Sequence, residues 1–417
     1  MLRLLTRKLF RKNHGLLSVT TRLSSVALNV QQNDEFLTVH WNDGKVDEFP
    51  HFYLRENCSC PKCFQPLKNA RNMFAPKELD FNITAETANL DSNHLNVKWT
   101  DGHTSIYSPE SLKSLRYEPA GDSPGVLTET MQLWNDKASF DNGTLPVFDF
   151  HELLVDDKLL YKWLVALAFE TGIAKLENIP QERQQLSRLG ERAGYLLSTN
   201  YGICYDIKAY SQDVARDIGY TTTALPLHSD YVFTSSPPAI AMFHCLLQTE
   251  SKGGVNQWID GFDAAHRLYE EDPESFHILT KTAVAYRNIT RTEVGEFHNT
   301  SRHKLISVDG NGKLSQVGYS DEFRDRHMPL EPKNMRAFYK AYIRFTELLL
   351  DNKSSFWYKM QNGDGISINN HRVLHARNGY EDTANNNRVF QLAYMDWDCV
   401  HSKIRILSEQ QGIPSPV

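Results

Sequence analysis

A chain of 417 residues with 41% hydrophobic and 23% charged side chains can build one large core and a smaller module, and this ordinary balance excludes a collagen-like or wholly disordered protein. The formal net charge of −6 makes nucleic acid a poor partner, because an acidic body repels phosphate backbones. The longest apolar run, Leu164 to Phe169 flanked by Lys162 and Glu170, is far short of the ~20 residues that span a bilayer, so no membrane insertion is expected.

Residues 1–33 carry Arg3, Arg7, Lys8, Arg11, Lys12 and Arg22 and no acidic group before Asp34. Leucines interleaved with arginines permit a basic amphipathic helix, the chemistry of a mitochondrial transit segment. Its removal would take the net charge from −6 to −12. A matrix location is expected, or a cytoplasmic one if the segment is an ordinary basic tail.

Residues 35–117 form the next unit. Phe36 to Trp41 and Leu95 to Trp99 have strand character, and Asn42-Asp-Gly44 and Asp101-Gly102 follow them as hairpin turns. Three of the six cysteines, Cys58, Cys60 and Cys63, fall within six residues. With His103 they make a tetrahedral, structural zinc set that would staple two hairpins. The stretch 118–144, with Pro, Gly, Asp and Asn, is expected to be a linker.

From 145 to 417 the pattern predicts a second, larger domain. Lys158 to Thr171 is helical and stops at Gly172, and Lys333 to Asp351 places Phe338, Tyr342, Phe345 and Leu349 on one helical stripe. Segments 225–233, 239–247, 364–368 and 388–397 are strands separated by turns. That order suits an antiparallel jelly roll with flanking helices.

Its chemistry centres on Leu227-His228-Ser-Asp230-Tyr231. On a strand, i and i+2 share a face, so His228 and Asp230 point at one ion, and His375 is the best distant third ligand. Two imidazoles and a carboxylate leave three positions of an octahedral iron open, as oxygenases using a 2-oxo acid require. Arg388 shares a strand face with Phe390, Leu392 and Tyr394. An inward guanidinium needs an anion, either a core carboxylate or the distal carboxylate of 2-oxoglutarate.

His228-X-Asp230, Gly253-Gly254, Asp260-Gly-Phe262, the distal Arg-Val-Leu-His375-X-Arg, Arg388 and the closing Asp396-Trp-Asp398 together resemble the gamma-butyrobetaine and trimethyllysine dioxygenase family of carnitine biosynthesis. The resemblance covers nearly everything after residue 35. It implies a double-stranded β-helix core, Fe(II) on His228, Asp230 and His375, 2-oxoglutarate as co-substrate, O₂, ascorbate as reductant and a homodimer. His371 falls where the family has an aromatic residue and is expected to be a neighbour only.

The family's trimethylammonium cage aligns with Tyr201, Tyr205, Tyr220 and Tyr394, aromatic faces suited to a cation that cannot donate hydrogen bonds. Tyr205 stands where these enzymes usually carry tryptophan. Asp217 falls at a substrate-binding asparagine, Ser320-Asp321 replaces an Asn-Asn pair, and Asn256 replaces a Ser or Thr beside the co-substrate. Acidic groups there would favour a substrate with an extra amine, as trimethyllysine has, or a different betaine altogether. The Cys-X-Cys-X₂-Cys set points instead to the gamma-butyrobetaine enzyme. The expected reaction is therefore hydroxylation of gamma-butyrobetaine to L-carnitine, with trimethyllysine as the alternative substrate. A catalytically dead scaffold displaying the zinc module is the reading from another class; the intact iron and arginine positions oppose it.

Overall fold

The computed structural model describes residues 27–68, 70–72, 75–91, 94–117, 125–210, 218–381 and 388–417. The chain divides into two compact units at Gly121 and Asp122. Most of the basic N-terminal segment therefore lies outside the described residues, and so does Asp217.

The first unit holds two three-stranded antiparallel sheets. One is built from Ala27–Gln32, Phe36–Trp41 and Val46–Pro50, the other from Ala85–Asp91, His94–Trp99 and Thr104–Tyr107. Alternation does the work: Leu37, Val39 and Trp41 from one strand and Leu95, Val97 and Trp99 from another are at most 2% exposed and share one core. Gly44 and Gly102 take φ of 82° and 79° in the hairpin turns, a conformation that suits glycine. Ala27–Gln32 pairs with Phe36–Trp41 and so corrects the leader boundary: the last residues of the expected 1–33 segment are a strand of this unit.

In the second unit a six-stranded sheet runs Cys204–Lys208, Val389–Met395, Ile240–Leu247, Gly365–Asn369, Ile173–Glu177, Val147–Asp149, antiparallel except at the last pair. A four-stranded antiparallel sheet faces it, in the order Leu225–His228, Val373–Arg377, Asn256–Asp260, Ser355–Tyr358. This is the expected jelly roll. Phe243, Phe390 and Leu392 from the large sheet meet Trp258, Ile259 and Leu374 from the small one in the main core. The other face of the large sheet, with Ile240, Met242 and Met395, packs against the helices Asp157–Phe169, Gln185–Ala193 and Trp397–Gln411. The predicted stripe on Pro332–Leu350 is buried as expected at Phe338, Tyr342, Phe345 and Leu349.

The stretch 118–144 is not a linker over its described part. Val126, Trp134, Ala138 and Phe140 belong to the core of the second unit. Trp134 donates from its backbone N to Asp260 (3.1 Å) and from its indole to the Thr171 carbonyl (2.8 Å). Large apolar residues scattered among turn formers concealed this role.

Asp260 also closes a bidentate pair with Arg372, Nε at 2.9 Å and Nη2 at 2.7 Å, with both side chains at most 2% exposed. The same guanidinium reaches the carbonyls of Glu170 and Gln132. Removing one partner of such a pair strands a buried charge, at a cost of roughly 3–5 kcal/mol. Asp260→Ala should lower the stability of the second unit by about that amount in urea unfolding, and a change below about 1 kcal/mol would contradict the role assigned to the pair.

Candidate active site and metal centres

His228 and His375 are direct cross-strand partners in the small sheet, and their ring centroids lie 4.2 Å apart. Asp230 lies beyond the strand end, so the i, i+2 argument does not by itself aim its carboxylate. Asn370 does: its side chain accepts from Asp230 N (2.8 Å) and donates to Asp230 O (3.0 Å). Tyr231 then leaves the strand direction with φ 60°. One Asp230 oxygen, Oδ1, sits 3.4 Å from His228 Nε2 and 3.8 Å from His375 Nε2.

The protonation pattern suits a cation. His228 Nδ1 donates to the Pro226 carbonyl (2.8 Å), which leaves Nε2 as a lone pair. His375 is packed between Phe243 and Trp258, and burial, reinforced by His228, pushes its pKa down to about 3. Burial would neutralise Asp230, but His375 and His228 outweigh it and hold the carboxyl below the ordinary range. Burial would likewise lower His228, but Asp230 outweighs it and raises the group, so a metal ion at Nε2 would take the place of the proton that Asp230 otherwise favours there. The three donor atoms lie within 4.8 Å of one another, and this donor set fits a divalent ion with open positions.

Two guanidiniums share the cavity with this cluster. Arg388 and Arg377 are 5% and 4% exposed, and neither makes an ion pair among the described residues. Arg388 lies 3.7 Å above the Phe390 ring and donates to Asn256 Oδ1 (3.2 Å). Burial and the neighbouring Arg377 lower its pKa to about 9. Arg377 spends Nη2 on the carbonyls of Thr221 (2.8 Å) and Thr223 (2.6 Å), just after Tyr220.

The cavity also has an aromatic lining. Tyr201 stacks on Tyr205 at 5.2 Å and lies 5.5 Å from Tyr220, while Tyr205 stacks on Tyr394 at 6.4 Å. All four line the cavity, joined by Tyr231, Phe233 and Phe323.

In the first unit, His103 Nε2 lies 3.3 Å from Cys58 Sγ and 3.6 Å from the sulfurs of Cys60 and Cys63. The cysteines are free thiols, and Arg55, paired with Asp101 at 2.8 Å, donates to Cys63 Sγ at 3.4 Å. Three sulfurs and one imidazole nitrogen at this spacing fit a tetrahedral zinc ion.

Residues 136–394 match the model of the taurine catabolism dioxygenase TauD, TfdA family, and residues 28–113 match that of the gamma-butyrobetaine hydroxylase-like N-terminal domain. The human gamma-butyrobetaine dioxygenase is 30% identical over 90% of this chain and 95% of its own. The Pseudomonas sp. (strain AK-1) gamma-butyrobetaine dioxygenase is 30% identical over 89% and 93%. A mouse protein named trimethyllysine dioxygenase, mitochondrial, is 28% identical over 86% and 83%. The chain belongs to the gamma-butyrobetaine dioxygenase family. It is an Fe(II)- and 2-oxoglutarate-dependent dioxygenase with a Cys-rich N-terminal module consistent with zinc.

In this dioxygenase the structure brings His228, Asp230, His375, Arg388, Asn256, Tyr201, Tyr205, Tyr220 and Tyr394 to one cavity. His371 is indeed only a neighbour, since its Nε2 meets the Pro237 carbonyl (3.0 Å) and its Nδ1 accepts from Trp397 (3.0 Å). Ser320-Asp321 does not face the cavity: Asp321 pairs with Arg324 at 2.7 Å and accepts from Tyr342 (3.0 Å). The next two residues, Glu322 and Phe323, line it instead. Sequence reasoning missed Asn370, Arg377, Glu322 and Tyr231; for Arg377 a signal existed, because it lies two residues after His375 on the same strand face. Cys60→Ser should release about one zinc per chain and destabilise the N-terminal unit, as metal analysis and thermal unfolding would report. A parent protein lacking zinc would refute the site.

Proposed function

We propose that this dioxygenase hydroxylates gamma-butyrobetaine to L-carnitine, with Fe(II) on His228, Asp230 and His375. The observation that carries the reading is a pair of buried guanidiniums, without carboxylate partners among the described residues, opening onto the same cavity as the metal-binding triad. An unpaired buried cation is costly, so a site retaining two of them is built for an anionic ligand. Arg388, with Asn256 beside it, takes the distal carboxylate of 2-oxoglutarate, and Arg377 adds positive potential while tethering the Tyr220 segment. Tyr201, Tyr205, Tyr220 and Tyr394 present ring faces to the trimethylammonium group.

Bound at the triad, ferrous iron with 2-oxoglutarate supplies the oxidation, giving succinate, CO₂ and a hydroxyl on an unactivated carbon. The protein's share is placement. His228 and His375 present neutral nitrogens, Asp230 a single anionic oxygen, and Phe233, Phe243 and Phe390 exclude water from the reacting carbon.

Trimethyllysine is the second reading, and Glu322 favours it. That carboxyl lines the cavity at an exposed position, where it would attract the α-amine of an amino acid. The basic segment before the described residues, together with the mitochondrial designation of the mouse relative, supports import into mitochondria. Assembly as a homodimer accompanies the reading.

Side-by-side turnover of gamma-butyrobetaine and trimethyllysine, followed by succinate release, tests the substrate. Preference for the second amine would reverse the assignment, and no turnover with either would end it. His228→Ala should reduce Fe(II)-dependent turnover to background with the fold retained by circular dichroism; residual activity near the parent level would exclude the triad. Arg388→Ala should raise the KM for 2-oxoglutarate about tenfold or more with a much smaller effect on the amine, as expected for loss of a charge-assisted bond. Equal KM values in parent and variant would remove its role.

A further inference from the structure

The tyrosines that line the cavity do more than present ring faces. Tyr394 donates its hydroxyl to Asp230 Oδ2 at 3.0 Å, on the oxygen opposite the one that faces the imidazoles. The Tyr394 oxygen lies 3.2 Å from the Tyr205 hydroxyl, which in turn lies 3.1 Å from the hydroxyl of Tyr231. A phenol has one proton to give. Since Tyr394 gives its proton to the carboxylate, Tyr205 must donate to Tyr394, and Tyr231 is left to donate to Tyr205. The chain of donors therefore has one direction and ends on Asp230. Tyr394 and Tyr205 are also locked laterally: Tyr231 packs edge-on against Tyr394 at 5.1 Å, and Tyr205 stacks on it at 6.4 Å. A phenol keeps its proton at neutral pH, so both can donate.

The geometry points to Tyr394 and Tyr205 as positioning residues for the metal-binding carboxylate: Tyr394 occupies Oδ2 so that Asp230 offers Oδ1 alone, and Tyr205 orients the Tyr394 hydroxyl. The inference rests on the assignment of the triad above. It gives Tyr205 a role that an indole at the same position could not fill, because an indole N–H sits elsewhere on its ring and cannot also accept. Partners that orient a metal ligand typically contribute 10–100-fold in affinity.

The test uses the full chain with its N-terminal Cys58, Cys60, Cys63 and His103 site loaded with zinc, and Co(II) as probe metal for the second unit, titrated by visible absorption under nitrogen with 2-oxoglutarate present. Tyr394→Phe keeps the ring face and removes one oxygen. Its Kd for Co(II) should rise at least about tenfold, with an altered ligand-field spectrum. Tyr205→Phe and Tyr205→Trp should each raise the Kd by a smaller factor, about threefold, through the loss of one donor from the chain. In turnover with Fe(II), kcat should fall in Tyr394→Phe while the KM for the amine holds, since the aromatic face remains. An unchanged Kd and spectrum in Tyr394→Phe would overturn the proposal. So would a rise in Kd that merely tracks a drop in the melting temperature of the metal-free variant. Parent-like Co(II) binding in both Tyr205 variants would strike out the second link. The triad itself is checked separately: if His375→Ala binds Co(II) as the parent does, the metal assignment fails and this inference falls with it. If His375→Ala loses the metal but Tyr394→Phe does not, the positioning role alone is wrong.

Discussion

The register of a single strand pair governs the catalytic unit. His228 sits opposite His375 because Leu225–His228 and Val373–Arg377 run antiparallel with those two residues matched. A slip of one residue would turn His375 to the other face and present Leu374 or Ala376 in its place. Two features hold the register. Val373 to Arg377 is paired along its other edge with Asn256–Asp260, residue for residue, so that Trp258 lies against His375. The turn before it is fixed by Arg372, whose buried pair with Asp260 ties the start of the His375 strand to the end of its neighbour. The ion pair that looks structural is thus the reason the ligands meet.

Around that register the cavity sorts charge by distance from water. Asp230 is half-buried beside two imidazoles and a phenol donor, so its charge is compensated by groups at hand. Arg377 and Arg388 are buried with, among the described residues, amide, carbonyl and ring contacts only, so theirs is not. Folding alone would not favour two such guanidiniums side by side, and lowering of the Arg388 pKa to about 9 records the strain of that placement. On the proposed reading, a dianionic co-substrate would resolve it on binding. The cost of burying the arginines would thereby return as affinity for that anion.

Much of this was legible in the sequence, for reasons that can be stated. The hairpins at Asn42-Asp-Gly44 and Asp101-Gly102 follow from local turn chemistry, and Arg388 was found because strand alternation put it among Phe390, Leu392 and Tyr394. Functions set by long-range contacts were not legible. Asn370 aims Asp230 from 140 residues away, and nothing in its own neighbourhood marks it. Trp134 and Phe140 lie among turn-forming residues, so their core role was mistaken for a linker. The acidic group expected at Ser320-Asp321 is supplied by the next residue: Asp321 pairs with Arg324, and Glu322 takes the cavity position. In an irregular turn, unlike a strand, spacing does not determine side.

The two metal clusters differ in the quantity that separates scaffolding from chemistry, the number of positions the protein leaves open. Cys58, Cys60, Cys63 and His103 supply four donors, which satisfies a tetrahedral ion and admits no further ligand. His228, Asp230 and His375 supply three, on one side, and Tyr394 occupies the carboxylate oxygen that could otherwise have become a fourth. Preventing bidentate capture by Asp230 is therefore as much a requirement of an oxygenase site as supplying the ligands. A buried phenol meets it at little cost: its hydroxyl binds the spare oxygen, and its ring, facing the cavity, remains available to a cationic substrate.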